Sequence, residues 1–294
     1  KGSAYLRGLM PWTNPQRKWL RELQHRKGRE KHGALVVEGR KAIAEFITSG
    51  WKPLLLATTG ASLGPDCLEV TARDLREVSS LDTPPDSLAV FAWDDLDPRP
   101  DGRVLVLDRV QDPGNAGTLL RMADWFGVAY ILHTTGTVDF GNPKTVQASM
   151  GSLARVPVRY ATESEAITLL QSEGRPIVVA DLDGTPPSQV NWSPNVALVV
   201  SNEGQGPSQA WRDAATAIAT TTCVCASRTE RHSSSSYVRR RREGRDGTEF
   251  SFYDILFAVA HFGAILTPLE AKDAKQPDDD RQHRPAHHEL HLAG

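Results

Sequence analysis

The sequence predicts an α/β protein in which a doubly wound parallel sheet follows a smaller α/β module. Three observations carry that reading. After residue 104, apolar segments such as "VLVLD" (104–108) and "VALVV" (196–200) alternate with helix-like ones. Their hydrophobicity is continuous rather than alternating, as expected of parallel strands covered on both faces. Segment 94–103, "DDLDPRPDGR", is acidic, contains prolines and has no periodicity, which marks a linker. Finally, residues 1–52 hold twelve Lys/Arg against four acids, although the whole chain of 294 residues is nearly neutral, with 34 basic and 36 acidic side chains. A basic front attached to an acidic remainder suits a module that docks on a polyanion.

In chain order, residues 15–50 read as a basic helix, a short strand "ALVVEG" and a second helix that stops at Gly50. Strand-like "PLLLAT", helix-like "TARDLREVSSLD" and strand-like "SLAVFAW" complete the front module, residues 14–93. Beyond the linker come "VLVLD", a helix over 117–126, "VAYIL", a helix around "KTVQASM", "RVPV", a helix over 163–172, "PIVVADL", "VALVV" and strand-like "TAIAT". The second domain spans 104–270 and loses its pattern after 219, where Ser and Arg runs read as a flexible loop and "FSFYDILFAVAHFGAIL" as a packing helix. The tail, 271–294, reads as disordered.

Composition removes several function classes. Three cysteines, Cys67, Cys223 and Cys225, build neither a disulfide framework nor a CxxC zinc pair, and point to a reducing compartment. Cys223, Cys225 and His232 lack a fourth partner, and the tail histidines His283, His287, His288 and His291 read as solvated, so no metal is expected. No apolar run has the length of a membrane span. Neither a G-x-G-x-x-G after the first strand nor a G-x-x-x-x-G-K-[ST] is present, which argues against a dehydrogenase or a P-loop NTPase. Trp19 reads as core, and the run Arg239 to Arg242 as solvated loop.

Ligands of open parallel sheets bind outside the carboxyl ends of the strands, which directs attention to two loops. In "DPGNAGTLLRMAD" Pro113 and Gly114 make a turn, Asn115 is placed to cap the helix, Gly117 allows a close approach, and Arg121 falls about one turn into the helix. In "VALVVSNEGQGPS" a buried strand ends in Asn202, Glu203, Gly204 and Gly206, a loop that exposes backbone polar groups.

Together "DPGNAGTLLRMADWFGV" and "ALVVSNEGQGPS" resemble the first and second motifs of the SpoU (TrmH-like) RNA 2'-O-methyltransferases of the SPOUT superfamily. "NPKTVQASMGSLARVPV" is similar to their connecting segment, and "RKWLRELQHRKGREKHGALVVEGRKAIAEF" to the L30e-related substrate-binding domain that many members carry in front. The resemblance covers residues 14–218. It implies a trefoil knot, S-adenosylmethionine as methyl donor, a homodimer and a structured RNA substrate, ribosomal RNA before transfer RNA because the front module is a kink-turn binder in related folds. It also implies site residues: Asn115 and Arg121 at the catalytic and RNA-phosphate end, and Val200, Ser201, Asn202, Glu203, Gly204, Gly206 and Ile218 around the cofactor. Arg17, Lys18, Arg26, Lys27, Arg29, Lys31 and Arg40 are the candidate RNA contacts. The third family motif, an Ile-Pro-Met strand end followed by Ser-Leu-Asn, has no counterpart after "TAIAT". The alternative function is therefore a catalytically inactive RNA-binding relative or isoform. The unusual C-terminus and the absence of an initial Met suggest a eukaryotic organelle, a plastid or mitochondrion, and otherwise the cytoplasm.

Overall fold

The computed structural model describes residues 12–202 and 204–220. Thr13 starts helix α1 (Asn14–Leu23) with a capping box, its hydroxyl accepting from the Gln16 N–H while the Gln16 side chain takes the Thr13 N–H. The single basic helix expected here is two. His25 adopts an extended backbone and α2 (Arg26–His32) starts afresh, folded back so closely that a Cβ on Gly28 would lie 1.9 Å from the Glu22 carbonyl oxygen. Only glycine tolerates that approach. Strand β1 (Ala34–Glu38), helix α3 (Arg40–Thr48), β2 (Pro53–Thr58), the unanticipated short β3 (Leu68–Glu69), α4 (Ala72–Val78) and β4 (Ser87–Ala92) follow. They form a four-stranded sheet of order β1-β4-β2-β3 in which β4 runs antiparallel to β1 and β2.

The second sheet is built from β5 (Val104–Asp108), β6 (Tyr130–His133), β7 (Val158–Tyr160), β8 (Ile177–Asp181), β9 (Ala197–Ser201) and β10 (Ala217–Thr220). Its order is β10-β8-β9-β5-β6-β7 and every pairing is parallel. All five residues of β5, of β8 and of β9 are buried, as their continuous apolar runs require. The connecting helices are α5 (Pro113–Trp125), α6 (Pro143–Ser149), α7 (Glu163–Ser172) and α8 (Gln209–Ala214). Helices α5 and α6 cover one face together with the first sheet, whereas α7 and α8 cover the other. The chain reverses its direction of strand addition between β5 and β9, which makes their junction the topological switch point.

Helix α5 begins four residues before the expected 117. Its cap is Asp112, whose carboxylate accepts the Asn115 N–H at 2.7 Å, so Asn115 is the third helical residue and not the cap. Gly117 lies at the α5–α6 contact, where a Cβ would meet Ala148 Cβ at 2.4 Å and the Ser149 nitrogen at 2.9 Å. Replacing Gly117 with alanine is expected to cost about 1–3 kcal/mol through overpacking. Urea unfolding checks this, and a variant as stable as the parent would show that the helices separate without loss.

The two sheets share a core. One hydrophobic cluster joins Leu35, Phe46 and Phe91 of the first unit to Leu105, Leu120 and Leu153 of the second. Polar ties reinforce it: the Trp51 indole N–H donates to the Ala154 carbonyl at 3.1 Å, and Arg155 spans Glu45 at 2.5 Å and Asp124 at 2.7 Å. Trp19 packs partly buried against the first unit's second cluster, as its reading as core required. The expectations for residues 221–294, including Cys223, Cys225, His232, Arg239 to Arg242 and the tail, fall outside the described residues.

Candidate active site at the carboxyl edge of the parallel sheet

The last residues of β5 organise the switch point. Asp108 is 1% exposed at the strand end, where its carboxylate accepts from the Thr134 hydroxyl at 2.7 Å and from the Arg109 guanidinium at 2.8 Å. Arg109 has φ 56, a left-handed conformation that is uncommon for a side-chain-bearing residue and is held here by surrounding bonds. Its guanidinium also donates to Gln205 Oε1 at 2.9 Å and to the Gly206 carbonyl at 2.8 Å. Asn202 completes the clasp, donating through Nδ2 to the Arg109 carbonyl at 3.2 Å while its Oδ1 accepts the Gly204 N–H at 2.9 Å and the Gln205 N–H at 3.3 Å. The loops after β5 and β9 are thus bound to one another.

This clasp was not read from sequence, although a signal exists. An Asp-Arg pair closing the otherwise apolar run "VLVLDR" must find partners when its strand is central and buried.

The candidate cofactor residues fall on one edge. Val200 and Ser201 end β9 in buried positions, Asn202, Gly204 and Gly206 form the clasped loop, and Ile218 lies half-buried in β10. Glu203 lies outside the described residues. The loop after β8 leans on β10: Thr185 N–H donates to the Ile218 carbonyl at 2.9 Å, and a Cβ on Gly184 would stand 2.7 Å from that oxygen. Ser201 Oγ is buried with no hydrogen-bond partner among the described residues. The edge therefore offers backbone carbonyls and N–H groups, an apolar Ile218 and an unmet hydroxyl. Its Arg109 is already paired. Such a lining fits a nucleoside bearing a positively charged sulfonium.

Arg121 is exposed and sits more than two turns into α5, not one, because the helix starts at Pro113. No side-chain bond ties it to a described residue. Asn115 is half-buried in the first turn of the same helix. Trp125, 85% exposed, follows Arg121 by one turn on the same face.

The basic front is less uniform than its composition. Lys18 and Lys27 are exposed, Arg26 and Lys31 are exposed but lie against Glu30 at 2.7 Å and Glu22 at 3.0 Å, and Arg17 pairs with Glu77 at 3.0 Å. Half-buried Arg40 donates to the Thr58 hydroxyl at 3.1 Å. Arg29 must be removed from the RNA contacts. It is 8% exposed, donates to the Leu23 carbonyl at 2.9 Å and grips Asp139 of the second unit at 2.5 Å, so its charge is spent joining the two units.

His133, at the end of β6, is the titrating group of this edge. Burial, assisted by Arg26 and opposed by Asp139, lowers its pKa from 6.5 to about 4. The neutral imidazole is favoured in the folded chain, so its contribution to stability is complete above pH 6.5 and is lost as pH falls towards 4. The loss amounts to about 3 kcal/mol. Thermal unfolding of the wild type and of His133→Gln at pH 7 and 4.5 checks this: the variant should show the smaller drop, and equal drops would remove His133 as the cause.

Comparison with known proteins agrees with this arrangement. Residues 102–223 match the model of the SpoU rRNA Methylase family, and residues 14–89 that of the MRM3-like substrate binding domain. The chain is 29% identical over 201 residues to the Bacillus subtilis 23S rRNA (guanosine(2553)-2'-O)-methyltransferase RlmP, an alignment covering 66% of this chain and 81% of that one. It is 29% identical over 172 residues to the human mitochondrial rRNA methyltransferase 3, covering 52% of this chain but only 41% of the relative. Among solved structures, a TrmH-family protein from Porphyromonas gingivalis superposes with TM-score 0.70 and 29% identity over 87% of this chain and all of its own. The AdoMet-bound rRNA methyltransferase of Sinorhizobium meliloti shares the fold, with TM-score 0.70 at 24% identity over 87% of this chain and 97% of that one.

Proposed function

We propose, since the chain belongs to the SpoU rRNA methylase family, that it methylates a ribose 2'-hydroxyl of ribosomal RNA using S-adenosylmethionine. The observation that carries this reading is the switch-point junction, where the clasped loop after β9 stands beside the loop and helix bearing Asn115 and Arg121. RlmP, which acts on 23S rRNA, and the MRM3-like front domain support ribosomal RNA as the substrate class.

In this proposal Ser201, Asn202, Gly204, Gly206 and Ile218 hold the cofactor, with Glu203 as a further candidate. The bound cofactor supplies an electrophilic methyl group on a sulfonium. Transfer to the ribose oxygen would form the O–C bond, break the S–C bond to leave a neutral thioether, and pass the hydroxyl proton to solvent water. The residues of the chain must align the hydroxyl and stabilise its developing negative charge. Arg121 suits this as a permanent cation that anchors a neighbouring phosphate; a guanidinium that keeps its proton is not the base. Asn115, in the same helix, orients the ribose. Lys18, Arg26, Lys27 and Lys31, with Arg17 and Arg40, supply the phosphate contacts of the front module.

The proposal further divides the chain at 94–103, and includes the trefoil knot and a homodimer. The homodimer follows from the family resemblance. The mitochondrial relatives support an organelle.

The deciding experiment incubates the chain with in vitro transcribed large-subunit rRNA and methyl-labelled S-adenosylmethionine, then digests the RNA to nucleosides for mass spectrometry. A labelled 2'-O-methyl nucleoside is expected. Calorimetric titration of the cofactor separates the alternatives if none appears: cofactor binding without transfer indicts the RNA chosen, whereas RNA binding without cofactor binding makes the chain a binder that has lost catalysis.

A further inference from the structure

On the opposite side of Arg109 from the β9 loop lies a constellation that methyl transfer does not use. Tyr160, the last residue of edge strand β7, is 58% exposed and yet bonded at both its hydroxyl and its ring. Its hydroxyl shares a 2.9 Å hydrogen bond with Thr135 Oγ1, and His133 meets its ring edge-on with centroids 5.6 Å apart. Buried Phe140 packs on the imidazole with centroids 5.2 Å apart. The loop carrying Thr135 continues into Gly136, which packs on Arg109 so tightly that a Cβ would lie 3.3 Å from Arg109 Cγ. Tyr160, Thr135, Gly136, Arg109 and Gly206 therefore form a continuous path from the edge of the sheet to the candidate cofactor loop.

Helix α2 lies against the loop that follows Thr135, where Arg29 binds Asp139 at 2.5 Å and Gly141 packs on the Arg29 side chain. Arg26, about one turn earlier on α2, and Lys27 beside it are exposed cations. The ion pair between Arg26 and Glu30 is exposed, the kind that yields readily to a competing phosphate. Asp139, the acid of the loop after Thr135, is already taken up by Arg29.

An exposed aromatic face braced by a hydroxyl bond and an imidazole, with a basic helix on one side and a nucleotide-handling edge on the other, has the chemistry of a base-stacking surface. Unpaired RNA bases stack on tyrosine while adjacent phosphates meet arginine and lysine. We propose that Tyr160 is a stacking platform for an unpaired base of the substrate RNA, placed between the basic helix α2 and the β5–β9 junction. Thr135 and His133 position the ring, and Arg26 takes the phosphate beside the stacked base. The inference rests on the RNA-methylation reading and specifies which part of the RNA the edge recognises: a single-stranded or looped-out nucleotide near the modified one.

The test is filter binding of the full chain to in vitro transcribed bacterial large-subunit rRNA across a salt series, with sedimentation of the free protein and calorimetry of S-adenosylmethionine in parallel. Tyr160→Ala should weaken RNA binding about tenfold to hundredfold, the range of one lost base stack, without altering the salt slope. Tyr160→Phe, which loses the Thr135 bond and keeps the ring, should stay within about threefold of wild type. Arg26→Ala should lower the salt slope by about one. Cofactor binding and melting temperature should be unchanged in Tyr160→Ala, which excludes misfolding. Retention of wild-type RNA affinity by Tyr160→Ala overturns the proposal, as does a loss that accompanies a changed oligomeric state, which would make Tyr160 a protein-docking residue. Wild type that binds and methylates the transcript while Tyr160→Ala is unaffected defeats the stacking alone. Wild type that binds no RNA overturns the stacking proposal, and if it binds no S-adenosylmethionine either, the methylation reading falls with it.

Discussion

Arg121→Ala is expected to lower the methyl-transfer rate by about 10²–10³-fold, the usual cost of removing one group that stabilises charge in the transition state. The structure makes this a clean measurement. Arg121 is exposed and bonded to no described side chain, so its loss should leave the melting temperature within a degree or so of the parent. It also makes no bond to the clasped residues Asn202, Gly204, Gln205 and Gly206, so cofactor affinity should not change. Arg121→Lys separates charge from shape: if a cation alone suffices the variant keeps much of the rate, but the planar fork suited to a phosphate predicts a loss of at least about tenfold. Single-turnover assays on large-subunit rRNA read both effects. An alanine variant within a few-fold of wild type would remove Arg121 from the catalytic assignment.

The second large effect concerns Arg29, and it should appear in stability and not in RNA affinity. Arg29→Ala leaves Asp139 facing the junction without its partner and the Leu23 carbonyl without its donor. Arg29 is buried and Asp139 partly so; breaking such a pair from one side costs up to about 3–5 kcal/mol, the figure for a fully buried pair. In a chain of this size that corresponds to a melting temperature lower by on the order of 10 °C. Asp139→Asn should do similar damage, whereas Arg29→Met combined with Asp139→Leu should recover part of it, since no charge is then left unpaired. The salt slope of RNA binding should be that of wild type in a folded Arg29 variant, while Lys27→Ala should lower it by about one. A variant that keeps its stability and loses a phosphate contact would restore Arg29 to the RNA surface.

The contrast between Arg29 and Lys27 shows where sequence reading stops. Both stand in one basic stretch, and counting charge assigns them the same role. Folding separates them, because Gly28 lets α2 fold back on α1 and turns Arg29 towards a carboxylate 110 positions away. Asn115 teaches the same lesson at shorter range. It and Asp112 are both good caps, and the carboxylate three residues earlier took the position. Helix α7, by contrast, runs over 163–172 as expected, since Thr162 and Glu165 form a capping box that local sequence alone specifies.

Local chemistry was sufficient for the α/β class, for the buried parallel strands with their runs of Val, Leu, Ile and Ala, and for the two loops that meet at the carboxyl edge of the sheet. Each depends on residues adjacent in the chain, where hydrophobic period and turn chemistry act. The clasp of Asp108, Arg109, Gln205 and Gly206, the burial of Arg29, and the seating of Tyr160 on Thr135 and His133 came only with the tertiary structure. Those contacts join side chains far apart in sequence, and what decides them is which buried or half-buried polar group finds a partner once strands β5, β6, β7 and β9 lie side by side.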